Sequence, residues 1–225
     1  MNRLSKIIAE KDTQSAGNSI LFILVFITIF IVPIFPVRFH PLFFNLLYTA
    51  IFLIAGFSLQ RNRRKILGLA IAVTILEWFS ASMNMVILSG LSKALNIVFF
   101  IIIVIGLIIQ VARTRKVKVH VIMEAINGYL LLGMSFSLLV AIILLIDPQA
   151  YNFPAADPAL GGNAYSFSDC VYYAFVTFTT LGYGDVLPQA PYTKSLAVLT
   201  GVSGQIYVAV IIAMLVGKFA SSAGE

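Results

Sequence analysis

The chain has 225 residues, 60% of them hydrophobic and 11% charged, with a mean hydropathy of +0.99 and a net charge of +6. A water-soluble domain carries about a quarter charged residues to face its solvent, so a soluble enzyme and a disordered chain are both excluded. The positive excess lies between apolar runs rather than along one face, which argues against nucleic-acid binding, and the single Cys170 forbids an internal disulfide.

Unbroken apolar stretches predict an all-α membrane protein with six transmembrane helices: Ser19–Pro36, Leu42–Leu59, Ile66–Leu88, Ala94–Val111, Gly128–Ile146 and Tyr192–Phe219. The first follows Arg3, Lys6 and Lys11, as a secretory signal would. Its run from Ile20 to Phe35 is too long for one, and Pro33, Pro36 and Pro41 stand where a small-residue cleavage site belongs, so it is read as a retained span.

In the third span Glu77 is expected to be the one carboxylate at membrane depth. Thr74, Glu77, Ala81 and Asn84 share a helical face, which turns Glu77 into a bundle. There it is protonated or bonded to Asn45, Asn96 or an arginine at the cytoplasmic edge, as a structural hydrogen bond or as a sensor or proton site. The fourth span holds no Arg or Lys; Lys93 precedes it, and Arg113, Arg115, Lys116 and Lys118 follow. That basic segment is a topology anchor or a site for anionic lipid. His120 beside it is a sensor of internal pH or an ordinary interfacial histidine.

Between the last two spans lies a short apolar segment, Ser168–Thr179, of 12 residues. At about 18 Å it cannot cross a hydrocarbon core of about 30 Å, so it is expected to be re-entrant or interfacial. Ser166 and Asp169 fit a capping box at its start. It runs into Thr179-Thr180-Leu181-Gly182-Tyr183-Gly184-Asp185. The last span, roughly 42 Å of helix, is long enough to require tilt. Along it, Gly201, Gln205, Val208 and Ile212 share a stripe that faces a cavity or a neighbouring helix. Lys218 at its end is read as an anchor that snorkels to headgroups, with a positive ring at the pore entrance as the alternative.

Orientation follows from the cations. Twelve of the 15 Lys and Arg fall in one set of alternate loops, and only Arg38, Lys93 and Lys194 in the other. Both termini are therefore expected in the cytoplasm of a cell-membrane protein, with Asp147, Asp157, Asp169 and Asp185 outside.

The segment Thr180–Asp185 resembles the selectivity filter of the potassium channel family, with Leu181 at its variable second place. Tyr172 to Thr180 resembles that family's pore helix, Tyr172 and Tyr173 standing where many members carry a tryptophan pair. A potassium ion sheds its water shell only where protein oxygens replace it, which backbone carbonyls can do. Glycine takes positive φ at little steric cost, so Gly182 and Gly184 allow the backbone alternation this needs.

The resemblance implies four K+ sites lined by the carbonyls of Thr180, Leu181, Gly182 and Tyr183 and by the Thr180 hydroxyl. Leu181 and Tyr183 would point away from the axis, Tyr183 bracing on the pore-helix aromatics, with Thr177 and Thr179 as further support. Asp185 and Asp169 would make the outer mouth electronegative. One filter per chain implies a homotetramer. Gly204 falls where that family's inner helix carries a hinge glycine and Gly201 is its near alternative; small residues also simply allow close packing.

Six spans with one pore segment are similar to the voltage-gated-like cation channels, whose fourth span carries regularly spaced arginines. That feature is missing here, so the resemblance extends over about 128–219 and only the span count goes further. The expected organisation is a four-helix, sensor-like domain over 1–112 without arginines, a basic interfacial linker over 113–127 and a pore domain over 128–225. The expected function is a passive potassium-selective channel without a conventional voltage sensor. It would need no cofactor beyond K+ in the filter, and its partners would be the lipid bilayer and its own copies. A weakly selective cation channel, a secondary transporter and a non-conducting membrane subunit are the alternatives.

Overall fold

A computed structural model describes residues 16–58, 63–83, 86–114, 119–153 and 166–223. The termini, Asp157, Gly161-Gly162 and Arg115–Lys118 lie outside the described residues, as does Asn84 of the Glu77 face.

Seven helices are described. They are α1 (Ala16–Ile34), α2 (His40–Ser58), α3 (Arg63–Met83), α4 (Val86–Arg113), α5 (Val119–Ile146), α6 (Phe167–Phe178) and α7 (Pro191–Ala223). Pro33 marks the end of α1. It has no N–H to continue the ladder, and the helix loosens to a π turn over Ile27–Ile31, then tightens to a 3-10 turn over Val32–Ile34.

Among the described residues five helices are long and apolar enough to cross a membrane: α1, α2, α4, α5 and α7. Six were expected. The difference is α3, which has 21 residues but includes Arg63, Arg64, Lys65 and Glu77, so its apolar part shrinks to Ile66–Ser80. Two other boundaries move. Leu88, expected to close the third span, lies in α4, which begins at Val86 rather than Ala94. The fifth helix starts at Val119, not Gly128, so Val119–Asn127 of the expected linker is its first turns.

One apolar core runs through the bundle, with Leu21 of α1, Phe52 of α2, Phe100 of α4, Leu131 of α5 and Tyr207 of α7 in a single cluster. Aromatic side chains join the first helices to α6: Phe44 meets Phe167 edge-on at 4.8 Å between centroids, and Tyr48 meets it at 5.9 Å. The apolar stretch of α5 is 61% buried and that of α7 only 22%. The helix that flanks the 180–184 loop therefore leaves most of its apolar surface uncovered within one chain.

Candidate functional site

The short helix α6 is positioned at both ends. At its start the Asp169 carboxylate accepts the Ser166 N–H at 2.7 Å, the return half of the capping box read in the sequence. The Ser166 and Ser168 hydroxyls are bonded to one another, and Ser168 Oγ lies 3.2 Å from Nδ1 of His40, whose Nε2 lies 2.8 Å from the Phe35 carbonyl. A carbonyl only accepts, so Nε2 carries a proton there, and Nδ1 shares a hydrogen bond with the Ser168 hydroxyl. Asp169, expected at the outer mouth, is thus engaged in capping α6.

Along α6, Tyr173 is buried against Tyr151 at 4.9 Å, and Phe178 against Tyr129 at 4.7 Å and Phe136 at 5.8 Å. Gly133 of α5 gives Phe175 its place: a Cβ there would come within 2.6 Å of the ring.

At the end of α6 the chain turns back on the helix's own carbonyls. Thr179 Oγ1 donates to the Phe175 carbonyl at 2.7 Å, and the Thr180 N–H to that of Thr177 at 3.0 Å. The Leu181 and Gly182 N–H groups both reach the Val176 carbonyl, at 3.0 and 3.2 Å. No peptide bond among the described residues is cis, and across a trans peptide the C=O points opposite to the following N–H. The carbonyls of Thr179, Thr180 and Leu181 are therefore all turned away from α6.

Holding successive carbonyls on one side requires unusual backbone. Thr180, Gly182 and Gly184 have φ of 60°, 57° and 80°, alternating with Leu181 and Tyr183. An added Cβ at Gly182 or Gly184 would meet nothing within 4 Å in one chain, so glycine is needed there for its backbone angle and not for room. Thr180 was expected in this loop, but its positive φ was not, because a β-branched side chain in that conformation is an outlier, costing on the order of 1–3 kcal/mol.

The loop is flanked on both sides. Tyr172 donates to Asp185 Oδ2 at 2.6 Å. That bond holds the Asp185 carboxyl below its usual range and pushes the Tyr172 hydroxyl up to about 12. Beyond Asp185, Gln189 N–H bonds the Ala150 carbonyl at 2.9 Å and Asn152 N–H that of Leu187 at 3.2 Å, which ties the segment to the turn after α5. On the α7 side, Gln205 Nε2 donates to Thr180 Oγ1 at 3.3 Å, and a groove of about 560 Å³ is lined by Thr177, Thr180, Gly182, Gly201 and Gln205. The predicted stripe thus brings Gly201 and Gln205 to the loop, and leaves Val208 and Ile212 exposed further along α7.

Other expected residues fall elsewhere. Tyr183 is 68% exposed rather than packed on the aromatics of its own α6. Helix α7 runs unbroken through Gly201 and Gly204. Gly204 sits against α6, where a Cβ would come within 2.0 Å of the Phe178 carbonyl oxygen; at Gly201 the nearest atom is 3.5 Å away. Lys218 donates to the Val111 and Ala112 carbonyls, the latter at 2.9 Å, so it caps the end of α4 instead of reaching for headgroups. Glu77 does face the bundle: Oε2 accepts from Asn96 Nδ2 at 2.8 Å and from the Ser92 hydroxyl.

Because α5 starts early, Glu77 is not the one carboxylate in a helix of the bundle. Glu124, 1% exposed, accepts from Asn18 Nδ2 at 2.9 Å and Gln110 Nε2 at 2.6 Å, and joins α1, α4 and α5. The signal for it was the Glu124–Asn127–Leu131 spacing, which puts two polar groups on a buried helical face. His120 is half-buried on the first turn of α5.

A family model described as ion channel matches residues 138–221, from the second half of α5 through α6 and the loop to the end of α7. No solved structure matches the chain. The match supports ion-channel activity in a membrane protein, and it falls on the part of the chain that carries the 180–184 loop.

Proposed function

We propose that the protein is a potassium-selective channel, a homotetramer with six membrane-crossing helices per subunit and α6 as a re-entrant pore helix. The observation that carries this reading is the loop backbone: successive carbonyls turned away from α6 over Thr179–Leu181, with left-handed residues at 180, 182 and 184. The Thr180, Leu181, Gly182 and Tyr183 carbonyls of four subunits would replace the water shell of K+.

A tetramer is supported by what one chain leaves open. Residues 179–185 are exposed, and non-helical backbone at membrane depth is tolerable only inside protein or along a water-filled path. The exposed Tyr183 would find its packing on a neighbouring subunit's α6, and the uncovered apolar face of α7 is available for the same contact. Helix α3, about 31 Å long and packed between α2 and α4, supplies the sixth crossing despite its charges. It keeps the twelve-to-three cation split on opposite sides, with both termini in the cytoplasm of a cell-membrane channel.

The functional division follows the chain: a four-helix domain over 1–112, a connection over 113–127 and a pore domain over 128–225. The basic Arg113–Lys118 stretch would meet anionic lipid. Since α4 has no cation between Lys93 and Arg113, the four-helix domain has little charge to move in a field, and steep voltage gating is not expected. Asp185 would stand at the outer mouth.

Flux through the purified protein in liposomes, with opposed potassium and sodium gradients, tests the reading. A reversal potential that follows potassium is expected, and one indifferent to potassium would refute it. Gating currents of several elementary charges per subunit would refute the absence of a voltage sensor.

A further inference from the structure

A cavity of about 590 Å³ lies away from the 180–184 loop, between helices α2, α3 and α4 on one side and α5 and the first turn of α6 on the other. Its lining is divided in character. Phe44, Leu138, Ala141 and Leu145 supply apolar surface, while Arg38 and Lys93 bring two cations against the single carboxylate of Glu77. One oxygen of that carboxylate, Oε2, accepts from Ser92 and Asn96 of α4. Arg38 is exposed at the rim, its guanidinium held 4.7 Å from the centre of the Phe39 ring. An apolar cavity with a few convergent polar groups, in the range of roughly 300–1,000 Å³, is the usual form of a small-molecule site.

We propose that this cavity binds a single-chain amphipathic anion, a long-chain fatty carboxylate. The carboxylate would lie at Arg38 and Lys93, where charge-assisted hydrogen bonds fix it, and the chain along Phe44, Leu138, Ala141 and Leu145. The excess of one positive charge selects an anion over a cation. The volume accommodates one acyl chain, not the two chains and glycerophosphate of a phospholipid. The floor of the cavity includes Ser166, Phe167 and Cys170, so an occupant touches the first turn of α6, next to the His40–Ser168 contact. Any effect of that contact on ion flow rests on the channel reading; binding itself does not.

The test uses the purified full-length protein in nanodiscs of phosphatidylcholine, with oleate as ligand and a diazirine-bearing oleate as photolabel, and it measures binding without flux. Labelling is expected on residues 37–48, 138–145 and 166–170, saturable and displaced by oleate. Arg38→Gln, at an exposed position where the fold is not at stake, should weaken oleate binding by about tenfold or more, the scale of a hydrogen bond to a charged group. Ala141→Phe, which fills the cavity, should abolish the label there, with unchanged elution volume showing that the protein is intact. Equal oleate affinity in wild type and Arg38→Gln, or label spread over the exposed helix faces without competition, would overturn the proposal. Displacement by phosphatidylglycerol but not by oleate would overturn the single-chain assignment. Loss of potassium flux with binding intact would bear on the channel reading alone.

Discussion

Gly204 separates two accounts of the long helix α7. A hinge needs a glycine for freedom; a packing contact needs it for space. The structure places Gly204 where an added Cβ would stand 2.0 Å from the Phe178 carbonyl oxygen and 3.0 Å from its carbon, both backbone atoms that cannot rotate aside. Alanine at 204 therefore forces α7 away from the end of α6 by about 1.5 Å, the difference between 2.0 Å and an ordinary contact. Overpacking of this kind costs typically 1–3 kcal/mol, offset by up to about 1 kcal/mol of helix propensity gained over glycine. The net expectation is a loss of roughly 1–2 kcal/mol, or a fall of roughly 2–8 °C in the thermal midpoint. Gly201→Ala is the internal control. Its nearest neighbour, the Thr177 carbonyl at 3.5 Å, is already at contact distance, so propensity alone acts and the midpoint should hold or rise. Thermal unfolding of the purified protein in detergent, read by the loss of its native elution peak, measures both. If Gly204→Ala is as stable as Gly201→Ala, the packing account is wrong.

Three further expectations follow from the hydrogen bonds. Tyr172→Phe removes the donor that depresses the Asp185 pKa, so the Asp185 titration, followed by NMR of labelled aspartate, should move up toward the usual 3.8. In the wild type the bond is fully present above that value and is lost only as pH falls through the lowered pKa, so the loop should be insensitive to pH between 5 and 8. Glu77→Ala leaves the Ser92 and Asn96 side chains without their shared acceptor and should lower stability by about 1–3 kcal/mol, whereas Glu77→Gln keeps an acceptor oxygen and should lower it less; chemical denaturation of the three proteins checks this ranking. Lys218→Ala uncovers the Val111 and Ala112 carbonyls, and hydrogen exchange should quicken in the last turn of α4 while the centre of α4 stays protected.

Local features were legible in the sequence because local chemistry decides them. The start of α6 followed from a serine and an aspartate three residues apart, and its length from an apolar run that stops at a Gly-x-Gly. That Glu77 would turn to a polar partner was foreseeable, since a carboxylate in an apolar helix must face one; Asn96 was among the candidates, and Ser92 was not. Long-range partners were not. His40 meets Ser168 across 128 positions, and Lys218 meets Ala112 across 106; nothing near either residue announces the other. The early start of α5 was hidden for a different reason. Hydropathy falls over His120, Glu124 and Asn127, so the fifth span was expected to begin only at Gly128, yet Glu124 and Asn127 are buried because α1 and α4 meet them with Asn18 and Gln110. A polar cluster shared by three helices looks, on each helix alone, like a helix end.

Thr180 shows how far one chain can account for its own loop. Its positive φ is unfavourable for a β-branched residue, so something must hold it there. Part of the restraint lies within the chain: the Thr180 N–H is anchored on Thr177, the next two N–H groups on Val176, and the side-chain oxygen on Gln205. These bonds all lie on the α6 and α7 side. On the other side the carbonyls of Thr179, Thr180 and Leu181 are turned outward, and residues 179–185 are exposed. A strained loop persists when its surroundings over-determine it, and a single chain supplies only half of those surroundings. In the proposed channel, cations and the same loop of neighbouring subunits would complete it from the open side. Under the proposed function the folded loop and the assembled pore would be one cooperative structure, and Gln205→Ala, which loosens the inner anchor of Thr180, should weaken K+ binding before it weakens the helix bundle.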